Sequence, residues 1–132
     1  MQRREYLKTI LAAGASLSAS SAQPKATPPI VLYVDLVVDA AKEKEMLNAY
    51  HNTFRPAAVK FPGYIDLKIV KLRTVLQGSA PSGMNYRFQL TYQSEEARQK
   101  WVNSDVHKKV WPTIENTLTN KTNYTVLLCD AV

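Results

Sequence analysis

The stretch from Tyr86 to Leu118, YRFQLTYQSEEARQKWVNSDVHKKVWPTIENTL, constrains the fold most. Tyr86, Phe88, Leu90 and Tyr92 alternate with Arg87, Gln89, Thr91 and Gln93, the pattern of a strand with one apolar face. A helix start follows at once. Ser94 offers a hydroxyl cap, and Glu95 and Glu96 sit at the positive end of the helix dipole. Ala97, Trp101 and Val102 form the apolar side of this helix. Asn103-Ser104-Asp105 reads as a break with a new cap. The next segment places His107, Trp111, Ile114 and Leu118 on one stripe, flanked by Val106 and Val110. Pro112 lacks the backbone donor needed in mid-helix, so this segment is expected to kink there or to restart with Pro112 in its first turn.

The remaining elements must bury the apolar face of that strand. Ile30 to Asp39, IVLYVDLVVD, is a β-branched run bounded by Pro29 and reads as a buried strand. Ile30, Leu32, Val34, Leu36 and Val38 point one way; Val31, Tyr33, Asp35 and Val37 point the other. Asp35 is a carboxylate inside an apolar run. Asp39 can cap a helix over Ala40–Val59, whose apolar side carries Met46, Leu47, Tyr50, Phe54 and Ala57 and whose last turns Pro56 interrupts. His51 reads as a partly exposed residue of this helix. Phe61-Pro62-Gly63-Tyr64 is a turn. A second strand spans Tyr64–Leu76, with a change of apolar phase that predicts a bulge near Ile69–Lys71. Gln77–Asn85 is a loop, and Tyr124–Cys129 is the last strand.

The order β, α, β, β, α, β is the α+β, ferredoxin-like arrangement: a four-stranded antiparallel sheet with helices on one face. Strands that are apolar on both sides require cover on the open face as well, most simply a second copy of the same sheet.

The first 22 residues read as an export signal, residues 23–29 as a Pro-rich linker, and residues 30–132 as one domain. Arg3 and Arg4 precede Glu5, Tyr6, Leu7 and Lys8; an apolar run to Leu17 follows; Ser20 and Ala22 supply a cleavage site before Gln23. The apolar run is shorter than the roughly 20 residues of a membrane span, so no stable span is expected after cleavage. RREYLK is similar to the twin-arginine export signal, apart from Gln2 in place of the usual Ser or Thr. The implied location is the periplasm or the exterior of a bacterial cell.

The full chain carries 17 basic and 11 acidic residues. The signal holds three of the former and one of the latter, so 14 and 10 remain after its removal, a net of about +4. Scattered charge of that size, without a basic block, gives no reason to expect nucleic acid as a partner. Cys129 has no partner for an internal disulfide and reads as a buried core thiol. No Cys, His and carboxylate spacing suggests a metal, and there is no phosphate-cradling Gly loop or nucleophile elbow.

From Ile30 to Val132 the chain resembles the antibiotic-biosynthesis-monooxygenase superfamily of dimeric α+β barrels. The resemblance rests on KWVNSDVHKKVWPTIENTL, on the Ser-Glu-Glu-Ala helix start and on the Phe-Pro-Gly-Tyr turn into the second strand. It implies a homodimer through the open sheet face and a small apolar or aromatic ligand. It also implies a cofactor-independent monooxygenase acting on a small aromatic or quinone-like compound. WVNSDV is also similar to the haem-degrading branch, in which Trp101 would help to distort the haem. That branch carries its axial His where this chain has Trp111, and its first-strand Asn where this chain has Val34 or Asp35. Two of three key residues therefore differ, which argues against haem ligation and leaves it only as the lesser alternative, with His107, one turn earlier, as a shifted ligand.

For an oxygenase, His107 is the candidate proton acceptor, because an unperturbed imidazole titrates near pH 6.5. Asp35 is the candidate that orients a donor; alternatively it pairs with a Lys or Arg across a dimer. Tyr33, Phe88, Tyr92, Trp101 and Trp111 are candidate pocket residues. The alternatives remain a structural imidazole at position 107, aromatics that only pack the core or dimer, and a non-catalytic barrel that binds a small ligand or partner.

Overall fold

The computed structural model describes residues 28–132. The export signal and most of the linker lie outside the described residues. Strand β1 (Ile30–Leu36) occupies the middle of the sheet with β3 (Tyr86–Tyr92); β2 (Tyr64–Lys71) and β4 (Thr125–Asp130) form the edges. The order β2-β3-β1-β4, antiparallel throughout and with the helices on one face, is the ferredoxin-like α+β fold expected from the sequence. No described helix is long and apolar enough to cross a membrane.

Register fixes which side chains meet the helices. Ile30, Leu32, Val34 and Leu36 pair with Tyr92, Leu90, Phe88 and Tyr86, and all eight are buried. These residues and Leu67 of β2 form the sheet side of the core. Val31, Tyr33 and Asp35 lie on the opposite, free face beside Arg87, Gln89 and Thr91.

The segment after β1 is helical from Ala40 to Ala58, in four parts. Asp39 caps a 3-10 turn, its Oδ1 accepting from the Ala41 N–H at 2.9 Å. Then come α1 (Glu43–Ala49), a π-helical turn over Tyr50–Phe54, and α2 (Arg55–Ala58). The π turn has a clear reason. Met46, Tyr50, Phe54 and Ala58 are buried at a strict spacing of four. In a 3.6-residue helix such a row drifts by about 40° per step and would leave the core by its last member. One wider turn, in which the Arg55 N–H reaches the Tyr50 carbonyl, cancels part of the drift. It also falls just ahead of Pro56, which has no N–H to continue the regular ladder.

Gly63 makes the turn into β2, with φ at +91°. A Cβ there would come within 2.5 Å of the Ala97 Cβ, so only glycine lets the turn lie against the next helix. The expected bulge near Ile69–Lys71 is corrected. The register shift lies between Tyr64 and Asp66, and β2 ends at Lys71 rather than Leu76. The change of apolar phase reflects Val70, which pairs with Arg87 on the free face and stays 48% exposed.

Helices α3 (Glu95–Val102) and α4 (Asp105–Glu115) follow β3, each opened by a serine cap. Ser94 Oγ accepts from the Ala97 N–H, and Ser104 Oγ accepts from the His107 N–H, both at 3.1 Å. The Ser104 hydroxyl donates to the Trp101 carbonyl at 2.7 Å, which ties the two helices together. Pro112 lies inside α4, which neither breaks nor restarts there.

Two further expectations are corrected. Asp35 is fully buried and accepts from Arg87 Nε at 2.6 Å and Nη2 at 3.0 Å, within one chain and between directly paired strand positions. Tyr33 completes this group, with the Arg87 guanidinium 5.1 Å from its ring centre. Cys129 is half-buried on the free face opposite Val31, not in the core.

Candidate functional site

A cavity of about 170 Å³ lies between the sheet and the helices. Its floor is Leu32, Val34, Phe88 and Leu90, contributed by alternate positions of β1 and β3. Its roof is Phe54, Trp101, His107 and Trp111. Half-buried Arg98 and Val102 of α3, half-buried Tyr124 and exposed Val126 mark its open side.

Phe54 sits at the centre of the roof. Its ring meets Phe88, Trp101, Trp111 and His107 edge-on, at centroid distances of 5.5, 5.9, 5.8 and 6.4 Å. Edge-to-face contacts of this kind are directional and hold the rings in fixed orientations. The four-residue spacing of His107 and Trp111 puts them on consecutive turns of α4, stacked at 6.0 Å with 16° between planes. The Trp101 ring meets the imidazole nearly at a right angle, 5.1 Å away.

The cavity's polar groups are few, and most are already paired. Arg98 donates from Nε and Nη2 to both Glu95 oxygens, each at 2.6 Å. Those hydrogen bonds hold the Glu95 carboxyl down at about 2. The Trp111 indole N–H donates to the Tyr124 hydroxyl at 3.3 Å, and that hydroxyl donates to Glu115 at 3.2 Å. The His107 ring makes no hydrogen bond to protein among the described residues. Burial pushes its pKa below the usual 6.5, so the imidazole is neutral at pH 7. A neutral imidazole offers one acceptor and one donor in an apolar, aromatic setting.

Of the seven side chains singled out in the sequence, Phe88, Trp101, His107 and Trp111 come together around this cavity. The other three do not line it. Tyr33 and Asp35 are on the far side of the sheet, because odd positions of β1 point away from the helices. Tyr92 is completely buried on the helix side but outside the cavity. Its hydroxyl has no partner and burial pushes its pKa up, which marks it as a core residue. His51 is exposed, with its ring against Tyr50. Sequence reasoning missed Phe54, Arg98, Val102 and Tyr124 as lining residues. For Phe54 the signal was present in its spacing from Tyr50, but a core position and a cavity wall look alike in sequence.

Among the described residues no group of three or more His, Cys, Asp or Glu could hold a metal ion. A porphyrin does not fit the cavity: four linked pyrrole rings exceed a space of about 170 Å³, and the His107 ring is packed against two tryptophan rings. The haem alternative, with His107 as a shifted ligand, is therefore not supported by the geometry.

No protein-family model matches the chain, and no curated protein matches it by sequence. Solved structures do resemble it. A dimeric ferredoxin-like protein of unknown function from Jannaschia sp. CCS1 has a TM-score of 0.67 at 14% identity, covering 78% of this chain and 99% of the other. A protein from Caulobacter crescentus CB15 proposed to be an antibiotic biosynthesis monooxygenase has a TM-score of 0.65 at 18% identity, over 81% and 92%. SnoaB, a cofactor-independent oxygenase from Streptomyces nogalater, has a TM-score of 0.63 at 11% identity, over 80% and 94%. At these identities the likeness establishes the fold.

The lowered pKa of His107 has a measurable consequence. Between the folded value and 6.5 the unfolded chain binds a proton that the folded chain does not, so this group's contribution to stability is complete above pH 6.5 and declines as pH falls below it. The His107 ring resonances are expected to titrate below pH 6.5 by NMR, and His107→Phe to remove that part of the pH dependence of unfolding. Titration at or above 6.5 would contradict the half-buried, apolar placement of the ring.

Proposed function

We propose that the chain is a cofactor-independent monooxygenase acting on a small aromatic or quinone-like compound held in the cavity under Phe54. The observation that carries this reading is a neutral His107 imidazole, free of protein hydrogen bonds, in an apolar cavity walled by aromatic rings. Such a cavity holds a planar ring by stacking and leaves one polar group to meet its hydroxyl. The fold is shared with SnoaB, a cofactor-independent oxygenase, which supports the class of reaction.

In this reading His107 accepts the phenolic proton, giving an imidazolium and an electron-rich phenolate. The phenolate is the reductant and dioxygen the oxidant. One oxygen atom enters the ring as a quinone carbonyl, and the other leaves as water with the two hydrogens the phenol loses. The phenol supplies all four electrons, so no further reductant is needed. The apolar walls keep bulk water from the reduced oxygen species.

Two further features belong to the proposal. The molecule is a homodimer joined through the free sheet face. Val70 and Leu127 are exposed there at 48% and 44%, and the structurally similar Jannaschia protein is dimeric. The molecule is exported, as the RREYLK segment and the apolar run after it suggest.

Oxygen uptake with a panel of phenols and quinols tests the reaction. Wild type is expected to consume oxygen with at least one of them, and His107→Ala to be slower by about 100-fold or more. Equal rates would remove His107 from the mechanism, and no uptake with any compound would favour a ligand-binding role. Light scattering at micromolar concentration is expected to give the mass of a dimer; a monomer would sink the shared sheet face.

A further inference from the structure

The dimensions and polar inventory of the cavity narrow what it can hold, an inference that rests on the reading of this cavity as an aromatic site. A dry, apolar protein cavity of about 150 Å³ takes up a single benzene ring. The volume here is about 170 Å³, enough for one ring with a small substituent. The walls that would have to retreat for a second fused ring are not free to do so. Phe54, Phe88 and Trp101 are 2%, 0% and 1% exposed, and Phe54 is locked edge-on against four other rings. Forcing larger groups into packed interiors moves side chains off their rotamers and weakens the complex.

A larger molecule could leave rings protruding through the open side. There they would cover the Arg98–Glu95 pair, whose charges would lose water without gaining a new partner. The same pair bears on charged ligands. Arg98 is the only Lys or Arg side chain lining the cavity, and Glu95 already balances its charge, taking two of its five N–H donors. A ring carboxylate or sulfonate would therefore meet a charge-neutral pair in an otherwise apolar lining, with no net positive charge to balance its own. Trp111 and Tyr124 are likewise committed, to each other and to Glu115. Among the uncharged polar lining groups, the His107 ring alone makes no hydrogen bond to protein.

We propose that the cavity selects neutral, single-ring phenols and quinols, with Phe54 and Val102 setting the size limit and the closed Arg98–Glu95 pair excluding ring acids. Phe54 is a specificity-determining residue in this scheme, while His107 makes the one polar contact.

Trp101 and Trp111 are the chain's two tryptophans, and both line the cavity, so their fluorescence reports on it directly. Titrations, corrected for ligand absorption, compare phenol and hydroquinone with a naphthol, a hydroxyanthracene and para-hydroxybenzoate. Phenol and hydroquinone are expected to quench saturably. The three-ring compound and the acid are expected to bind at least about tenfold more weakly. Phe54→Leu is expected to bring the naphthol close to hydroquinone in affinity. Val102→Ala, at the half-buried rim, makes the same comparison if Phe54→Leu fails to give a folded melting profile. Equal affinity for one and three rings, equal affinity for the acid, or no quenching by any compound would overturn the proposal. Single-ring binding without oxygen uptake would instead reject the oxygenase reading and leave the size limit standing.

Discussion

Everything in the site depends on the burial of the Phe54 ring between helix and sheet. That position is not a matter of helix propensity alone. A row of buried residues spaced by four cannot stay on one side of a regular helix, and the π turn over Tyr50–Phe54 keeps it there. Phe54 then meets Phe88 below and Trp101, His107 and Trp111 around it. If the turn were regular, the ring would rotate away from the sheet and the roof would lose its centre. π turns often occur where a helix is bent to serve a site, and here the sequence reason and the site coincide.

The second constraint is arithmetic of cover. One layer of helices cannot shield four strands. Val126 and Leu128 of β4 point toward the helix side yet are 49% and 51% exposed, and Val126 borders the cavity. The free face has a different character. Its centre holds the Asp35–Arg87 pair and Tyr33, flanked by apolar Val31, Val70 and Leu127. A fully buried carboxylate with a bidentate arginine is costly to disrupt and fixes the register of β1 against β3. The buried ion pair and the cavity thus lie on opposite faces of the same strands, with odd positions of β1 on one and even positions on the other.

The sequence made part of this legible. Alternation in Tyr86–Tyr92 and in Ile30–Leu36, with caps at Asp39, Ser94 and Ser104, was enough for the element order and the ferredoxin-like fold. The helical spacing of His107 and Trp111 placed them on one stripe beside Trp101. Pairing partners were not legible. The Asp35–Arg87 contact depends on a strand register that spans 52 positions, so Asp35 looked available for chemistry until its partner was placed. Tyr33 and Tyr92 failed as pocket residues for a similar reason, because an aromatic on a strand does not reveal which layer it enters. The phase change in β2 looked like a bulge because an exposed valine on a free face is indistinguishable from a buried one in a string of letters.

The central claim is that a small aromatic molecule binds beneath Phe54, on the helix side of the sheet. Intermolecular nuclear Overhauser effects between bound hydroquinone and the protein in solution address it most directly. Contacts are expected from the ligand ring to Phe54, His107 and Trp111. Contacts instead to Tyr33, Gln89 or Leu127, on the free face, would contradict it.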